Sequence, residues 1–219
     1  ARELPFMVHS AIASGAGDAY LTEPTSFTAT VGKKSLTVEV PRLKIKGMHN
    51  TYNAMAATLA TLAAGVEPEQ VEKSLYDFNA IEHRLEPVGE KDGIEYINDS
   101  KATNVDSAWY ALESMTRPTV WIVGGTDKGS SYAPLFDLAQ KKVHTLICMG
   151  LDNKKFHESF EGIVPEIHDV TSASDAVKLA HKLAVSGDCV LLSPCCASFD
   201  LFKNYEDRGR QFKEAVRNL

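Results

Sequence analysis

Two short stretches of the sequence concentrate the side chains that could do chemistry. Residues 98–104 read Asn-Asp-Ser-Lys-Ala-Thr-Asn and bring a carboxylate, an ammonium, hydroxyls and amides into seven positions. Residues 191–208 pass from an apolar run through the small residues Ser-Pro-Cys-Cys-Ala-Ser into a polar segment. Because each stretch follows or includes a strand-like run, we expect two loops at the carboxyl ends of strands in an α/β sheet, where ligands bind.

The charged residues of the first stretch allow two interpretations. Asp99 and Lys101 form either a solvated turn with a local ion pair, worth at most ~1 kcal/mol, or a ligand site. In the ligand site, Asp99 accepts a hydrogen bond from a sugar or nucleotide hydroxyl and Lys101 neutralises a phosphate. Thr103 and Asn104 are able to cap the following helix under both interpretations.

Two further loops are equally ambiguous. Residues 124–129, Gly-Gly-Thr-Asp-Lys-Gly, follow a strand-like run, so exposed N–H groups and the Lys128 ammonium could hold an anion there. The same glycines suit any strand-to-helix turn. Ser198 either caps a helix that begins near Phe199 or donates to a ligand. No Gly-Lys-Ser or Gly-Lys-Thr occurs, so the chain contains no P-loop.

Polar residues earlier in the chain add two smaller signals. Asn50 and Asn53 lie about one turn apart at the start of a predicted helix; capping explains one amide, and two on one face indicate recognition of a polar ring. His83 and Arg84 form either an exposed linker pair or part of the same chemistry.

Composition restricts the class of protein. The 219 residues suffice for one or two domains, and the net charge of −6 gives no support for nucleic-acid binding. No apolar run approaches the roughly 18 residues of a membrane span. The four cysteines lack the spacing of a disulfide framework or a zinc site, so we expect buried reduced thiols and a cytoplasmic location. They are Cys148, Cys189, Cys195 and Cys196.

The elements that must position these residues fall into two groups. Alternation over residues 27–31 and 36–40 predicts a hairpin, and the small residues 11–17 predict a loop or a poorly ordered segment. Helical spacing then predicts one helix ending at Gly65 and another opening at Pro68. The pattern breaks at residues 81–87, so we expect domains over 1–80 and 81–219.

The second group alternates strands and helices. A hairpin around Val88 and residues 94–98 leads into a helix over 105–115. Further strands are predicted at 120–123, 145–149, 166–169 and 189–192, with helices at 135–141, 154–160 and 174–184 between them. Ser172 and Asp175 suit a capping box. The final helix carries Phe212 and Val216 on one side and its basic residues, Arg208 among them, elsewhere. Such alternation predicts an α/β fold with a Rossmann-like, doubly wound, mostly parallel sheet.

The order of the polar motifs resembles the Mur ligases over roughly residues 45–219. The motifs are Gly47-x-His49-Asn50-x-x-Asn53, His83-Arg84-x-Glu86, residues 98–104, Gly124-Gly125-x-x-Lys128 and residues 193–208. Ligases that add other peptide residues, and folylpolyglutamate synthetases, share the His-Asn and His-Arg signals but lack the pair formed by residues 98–104 and 193–208. The likeness is therefore greatest to the members that add D-glutamate.

This resemblance implies an ATP-dependent ligase of peptidoglycan synthesis. Such an enzyme would join D-glutamate to UDP-N-acetylmuramoyl-L-alanine through an acyl phosphate, with ATP and Mg²⁺, and we expect a monomer without nucleic-acid or membrane partners. Residues 1–80 would be the β/helical tail of a central ATPase domain and 81–219 an amino-acid-binding domain. The resemblance assigns ATP binding to Asn50, Asn53, Arg84, Asp99 and Lys101, catalysis to Lys101, Arg84 and His83, and D-glutamate binding to Thr103, Lys128, Ser198, Phe199 and Tyr205.

Departures from the family pattern shape the remaining expectations. Tyr205 replaces the Phe expected there and keeps an aromatic wall. The family's P-loop, metal ligands and carbamylated lysine have no match, so the resemblance implies no metal site in this chain. The sequence begins at Ala1 rather than Met. We therefore expect a piece of a longer enzyme, inactive alone. Two alternatives stay open: a ligase of different amino-acid specificity, and a non-catalytic Rossmann-like binding module.

Overall fold

The computed structural model describes residues 7–12, 15–23, 25–45, 47–79 and 81–219. The chain forms two compact units, Ala1–Ala80 and Ile81–Leu219. Within the described ranges, no helix is long and apolar enough to cross a lipid bilayer.

The first unit is a four-stranded antiparallel sheet followed by two helices. Strands β1 to β4 pair in sequential order and span Met7–Ile12, Gly15–Glu23, Ser26–Val31 and Lys34–Glu39. Helices α1 and α2 span Met48–Ala63 and Pro68–Asp77. The predicted hairpin is confirmed as β3 and β4, joined by a turn at Gly32 with φ of 59°.

The core of this unit follows from the period-2 pattern of its strands. Phe27 and Ala29 of β3 and Leu36 and Val38 of β4 face inward, against apolar residues of the helices. The prediction of a loop over residues 11–17 was wrong, because Ala11 pairs with Ala16 in the β1–β2 ladder. Backbone pairing, which small side chains do not reveal, holds these strands; residues 13 and 14 lie outside the described ranges.

The second unit contains a six-stranded sheet in the order β5-β6-β10-β7-β8-β9. Only β5 is antiparallel to its neighbour; the other five strands are parallel. The strands span Glu86–Lys91, Ile94–Asn98, Thr119–Gly124, Val143–Met149, Glu166–Val170 and Cys189–Cys195 for β5 to β10. This confirms the predicted mostly parallel α/β sheet.

Helices cover both faces of this sheet. One face packs against α3 to α5, which span Val105–Ser114, Phe136–Lys142 and Lys154–Phe160. The other packs against α6, Ala173–Leu183, and α7, Tyr205–Arg217. Because the central strands β7, β8 and β10 are buried on both faces, they read as continuous apolar runs.

Strand order reverses at β10, which returns to lie between β6 and β7. The helix after β6 and the helix after β7 pack on one face, whereas the helix after β10 packs on the other. Ligands of open α/β sheets bind at such a reversal, outside the carboxyl ends of the strands. The fold therefore indicates the loops after β6, β7 and β10.

Local side chains fix the starts of three helices. The Asn104 side chain accepts from the Ser107 N–H at 2.8 Å and begins α3, and Asn204 accepts from the Asp207 N–H at 2.7 Å and begins α7. At α6, the Ser172 hydroxyl accepts from the Asp175 N–H at 3.0 Å and donates to its carboxylate at 2.7 Å.

Candidate functional site

Three loops that carry predicted site residues meet at the carboxyl edge of the second unit's sheet. The Asp99 N–H, after β6, donates to the Leu192 carbonyl of β10 at 2.8 Å. The Thr126 N–H, after β7, donates to the Ala197 carbonyl, after β10, at 2.8 Å. The three loops therefore open on the same edge of the sheet.

Two glycines at the end of β7 allow close backbone approach: Gly125 to the loop after β10, and Gly124 to the end of β8. Gly124 and Gly125 have φ of 120° and 127°, which L side chains rarely adopt. A methyl group on Gly125 would overlap the Ala197 carbonyl oxygen, and one on Gly124 would overlap the Met149 carbonyl oxygen. The glycines are thus required by packing and backbone conformation together.

The side chain of Arg208 binds all three loops from within. It is 1% exposed, and its Nε donates to the Ser100 hydroxyl at 3.0 Å, while Nη2 donates to the Ser100 carbonyl at 2.9 Å. Nη1 donates to the carbonyls of Gly124 and Cys196, both at 3.3 Å. Burial lowers the pKa of Arg208 to about 10, so the guanidinium stays charged at neutral pH. Arg208 fixes the relative positions of the loops.

The sequence prediction placed Arg208 away from the apolar side of the last helix, and this was wrong. Arg208, Phe212 and Val216 are all buried and lie four residues apart, so they share one face of α7. That spacing was the available signal; it was outweighed by the usual exposure of arginine.

Asp99 is a buried carboxylate with two internal hydrogen bonds. It is 7% exposed, and its Oδ1 accepts from the Leu85 N–H at 3.1 Å while Oδ2 accepts from the Ser193 hydroxyl at 3.0 Å. Desolvation raises the pKa of Asp99 to about 7, against the opposing effects of these two bonds and of the Arg84 charge. Asp99 therefore ties residues 83–85 to β10; its contact with a nucleotide stays a prediction.

His83 is held inside the second unit rather than exposed in a linker. It is 3% exposed, and its Nδ1 lies 2.9 Å from the Asn98 amide nitrogen. Since that nitrogen can only donate, and also donates to Glu86 at 2.9 Å, Nδ1 must accept and the proton lies on Nε2. Burial lowers the pKa of His83, which favours the neutral ring.

The backbone around His83 is strained. His83 and Leu85 have φ of 67° and 42°, in the left-handed region that non-glycine residues seldom occupy. The His83 N–H donates to Glu86 at 3.0 Å, and the Leu85 N–H is held by Asp99. These bonds fix a conformation that would otherwise relax. Arg84, between them, is exposed.

Two residues predicted to bind an amino-acid substrate are in direct contact. The exposed Lys128 ammonium donates to the Thr103 carbonyl at 3.2 Å, which joins the loops after β6 and β7. A neutral carbonyl satisfies one of the three donors of the ammonium. Lys128 is therefore held in place with donors left for an anionic group.

A second contact gathers Lys101 and Tyr205. The Lys101 ammonium lies 5.1 Å from the centre of the Tyr205 ring, within the range of a cation–π interaction. The Tyr205 carbonyl accepts from the Ser100 hydroxyl at 2.8 Å, and the His83 ring packs edge-on against the Tyr205 ring at 6.0 Å. The aromatic wall expected at Tyr205 stands beside a cation, at the start of α7.

The loop after β10 departs from one expectation. No helix begins near Phe199: α7 begins at Tyr205, after the cap at Asn204. The Ser198 carbonyl accepts from the Phe202 N–H at 2.9 Å, which closes one turn without continuing it. Ser198 is 2% exposed and Phe199 is 73% exposed, so adjacent residues face inward and outward.

The remaining predicted residues, Asn50 and Asn53, lie in the first unit. They occupy the first turns of α1, and the Asn53 amide nitrogen lies 3.5 Å from the Asn50 side-chain oxygen. The predicted placement on one helix face is correct; their ligand stays a prediction.

Sequence reasoning missed an ion pair beside Lys128. The Lys155 ammonium donates to the Asp127 carboxylate at 2.7 Å and to the Ser130 carbonyl at 2.8 Å, and the Tyr132 hydroxyl donates to Asp127 at 3.2 Å. The pairing residue comes from α5, 28 positions along the chain, so no local pattern could have revealed it.

The fold and the gathered loops define a Rossmann-like α/β domain with polar residues at the reversal of strand order. Residues 83–196 match the family described as Mur ligase, glutamate ligase domain. The chain belongs to the Mur ligase family.

Similar proteins agree with this assignment. The chain is 47% identical to the UDP-N-acetylmuramoylalanine–D-glutamate ligase of Christiangramia forsetii over 100% of its own length and 48% of the relative. It is 50% identical to the enzyme of that name from Bacteroides fragilis, over 91% of this chain and 43% of the relative. The chain thus spans about half the length of the curated relatives it matches.

Solved structures share the fold at low identity. A pseudomurein peptide ligase type C from Methanothermus fervidus superimposes with a TM-score of 0.66 at 18% identity, over 90% of this chain and 40% of that one. MurF from Acinetobacter baumannii gives a TM-score of 0.66 at 20% identity, over 96% and 45%. Mycobacterium tuberculosis folylpolyglutamate synthase gives 0.63 at 12%, over 96% and 46%.

Proposed function

We propose that this chain is the carboxyl-terminal part of an ATP-dependent ligase that adds D-glutamate to UDP-N-acetylmuramoyl-L-alanine in peptidoglycan synthesis. The observation that carries the proposal is the contact between Lys128 and Thr103 at the reversal of strand order. The names of the relatives, at 44–50% identity, support the choice of D-glutamate over other amino acids.

The proposed reaction needs a carboxylate and an amine held in line. ATP would supply the activation: its γ-phosphoryl group passes to the alanyl carboxylate, ADP leaves, and an acyl phosphate forms. The amine of D-glutamate then attacks the carbonyl carbon, phosphate leaves, and the amine loses a proton to solvent as the amide forms. The contribution of this chain is to bind and orient the amine-bearing substrate, since positioning alone removes much of the barrier.

Lys128 is the group best suited to a substrate carboxylate. Its ammonium is exposed, is steadied by the Thr103 carbonyl, and comes from a loop whose glycines have conformations that expose backbone N–H groups. Ser198 and Phe199, on the adjoining loop, would supply a hydrogen-bond donor and an apolar contact. Tyr205 would provide an aromatic wall next to Lys101.

The residues of this chain fit only part of a bound ATP. Lys101 offers a cation for a phosphate, whereas both Asp99 oxygens already accept internal hydrogen bonds. Asn50, Asn53 and Arg84 offer amide and guanidinium donors. No P-loop sequence is present, so the nucleotide phosphates and Mg²⁺ would depend on residues outside this sequence.

His83 is better suited to positioning than to chemistry. Its ring is buried and its Nδ1 accepts from Asn98, so a contact with reacting atoms would require movement. We assign it, with Asp99 and Arg208, to holding the loops; Lys101 and Arg84 retain the proposed catalytic roles. The four free cysteines suit a reducing cytoplasm.

The proposal is tested on the full-length enzyme that contains this chain. Phosphate release should require both UDP-N-acetylmuramoyl-L-alanine and D-glutamate, and L-glutamate or diaminopimelate should not replace D-glutamate. The chain alone should release no phosphate from ATP above the buffer rate. Faster turnover with another amino acid would instead identify a ligase of different specificity, and binding without turnover would indicate a non-catalytic module.

A further inference from the structure

A cluster of three metal-ligand side chains lies near the carboxyl ends of β8 and β9, among residues with no part in the proposed ligase site. Cys148, His157 and Asp169 each offer one ligand atom, and these atoms all lie within 4.8 Å of one another. The His157 Nε2 is 2.9 Å from the Asp169 Oδ2. A thiol, an imidazole and a carboxylate in such proximity combine the three ligand types that zinc prefers.

Strand register and helix packing bring the three together. Cys148 of β8 and Asp169 of β9 are direct partners in the parallel ladder, so their side chains project from the same face of the sheet. The α5 helix packs on that face through Phe156 and Phe160, and it contributes His157 to the cluster. The position of each ligand is therefore set by the backbone of a regular element.

We propose that Cys148, His157 and Asp169 bind a divalent metal ion of borderline softness, Zn²⁺ above all, with a water as the fourth ligand. A sulfur at about 2.3 Å and a nitrogen at about 2.1 Å from one tetrahedral ion lie about 3.6 Å apart. The ligand atoms now lie up to 4.8 Å apart, so side-chain rotations must bring them about an ångström closer to bind one ion. His157 and Asp169 are 41% and 55% exposed and free to make them, while Cys148 is fixed in the core.

The surroundings suit a metal with an open position. A cavity of about 630 Å³ adjoins the cluster, and His157, Asp169, Asn153 and Thr171 contribute to its lining. Solvent in this cavity would reach the fourth coordination position. The Asn153 amide donates to the Asp169 Oδ1 at 2.9 Å, which orients the carboxylate as outer-shell donors do in metal sites.

Binding requires the thiol proton of Cys148 to leave. It also breaks the hydrogen bond between His157 and Asp169, because Nε2, which contacts both carboxylate oxygens and so carries the ring proton, can bind a metal only after that proton has moved to Nδ1. Zn²⁺ replaces the proton of the Cys148 thiol, a zinc–sulfur bond forms, and the proton passes to solvent. Burial raises the pKa of the free thiol, so the metal charge must supply the driving force. Binding thus needs only Zn²⁺ and water, and no atom changes its oxidation state.

A second group within the described ranges has similar ligand types but is already neutralised. Glu82, His83 and Glu86 lie close together, and the Lys213 ammonium bonds to both carboxylates, at 3.0 Å for Glu86. The Lys213 ammonium thus already neutralises the two carboxylates that a metal ion would need as ligands. No lysine bonds to Asp169 in the described residues, which distinguishes the first cluster.

The test is calorimetric titration of the metal-free chain with ZnCl₂. We expect one ion per chain and at least tenfold weaker binding in His157→Gln and Asp169→Asn, whose exposed side chains leave the fold intact. Cys148→Ser should do the same. In the wild type, Co²⁺ should give thiolate-to-metal charge-transfer absorption, which Cys148→Ser abolishes.

Matched controls exclude ordinary surface binding. His168→Gln removes the neighbouring exposed histidine, which bonds to Glu166 at 3.2 Å, and Cys189→Ser removes another buried strand cysteine. Both should keep wild-type affinity. Binding that survives His157→Gln and Asp169→Asn, binding lost equally in His168→Gln, or no binding at micromolar Zn²⁺ would each overturn the proposal. None of these outcomes bears on the ligase reaction, which is measured separately.

Discussion

Gly209 of α7 lies directly against the imidazole ring of His83. A methyl group on its Cα would overlap the His83 Nδ1 and come within 2.7 Å of Cε1. The helical backbone at Gly209 makes no demand for glycine, so the reason for this residue is the close approach of the ring. The contact holds the strained segment around His83 against the last helix.

Gly209→Ala should therefore lower the free energy of unfolding by about 1–3 kcal/mol, the usual cost of overpacking. At an ordinary helix position the same change raises the free energy of unfolding by roughly 0.5–1 kcal/mol. The sign of the measured change therefore shows whether the methyl group meets the His83 ring. Urea unfolding measures it. In a His83→Ala background the ring is absent, and Gly209→Ala should cost at least about 1 kcal/mol less. Additive effects of the two substitutions would contradict the contact.

Arg208→Lys should destabilise the second unit although it keeps the charge. A lysine cannot reproduce the fork that bonds Ser100, Gly124 and Cys196, and buried acceptors left unpaired cost about 1–3 kcal/mol each. We expect a loss of about 2–4 kcal/mol in urea unfolding. Arg210→Lys, at an exposed position of the same helix, is the control and should stay within about 0.5 kcal/mol. Equal losses of stability in Arg208→Lys and Arg210→Lys would argue against a role of Arg208 in joining the three loops.

The elements of the second unit were predictable because each is locally encoded. The strand at Thr119–Gly124 is a continuous apolar run, and helices between strands have N-cap residues such as Asn104 and Ser172 immediately before them. Alternation of these elements implies the parallel sheet. The position of β10 between β6 and β7 required the structure, since a crossover has no local signature.

The candidate site was predictable in composition but less so in geometry. The loops that hold Asp99, Lys128 and Ser198 could be placed on one edge because each follows a parallel strand. The hydrogen bond between Ser193 and Asp99 joins residues 94 positions apart, so no local pattern could reveal it. The burial that raises the pKa of Asp99 also depends on residues distant in sequence. Cys148, His157 and Asp169 come from three elements, so no ligand spacing revealed them.

The buried carboxylate of Asp99 should make stability depend on pH in the sense opposite to a salt-bridged aspartate. Its folded-state pKa of about 7 lies above the ordinary 3.8, so the folded protein binds the proton more tightly. The resulting stabilisation is complete below about pH 4 and is lost as the pH rises through about 7. A shift of about three units corresponds to something on the order of 4 kcal/mol.

Asp99→Asn provides the comparison, since the amide is neutral and nearly isosteric. Urea unfolding of both proteins at several pH values should show the wild type losing stability relative to the variant between about pH 4 and pH 8. Glu90→Gln, in an exposed carboxylate, controls for general charge effects. A difference between wild type and Asp99→Asn that stays constant across this range would mean that the carboxyl group titrates normally.

Lys128→Ala tests the assignment of the substrate carboxylate in the full-length enzyme. Removal of one charge-assisted hydrogen bond in a partly desolvated cleft costs about 1.5–3 kcal/mol. The KM for D-glutamate should accordingly rise roughly ten- to a hundredfold, because each 1.4 kcal/mol is about a factor of ten. The KM for ATP should change little, since the proposed nucleotide contacts lie at other residues.

Lys128 is exposed and bonds only to the Thr103 carbonyl among the described contacts, so folding should be unaffected. Lys141→Ala, in an exposed lysine of α4, should leave both constants unchanged. Steady-state kinetics with each substrate varied in turn separates the possibilities, and a wild-type KM for D-glutamate in Lys128→Ala would remove Lys128 from the substrate site.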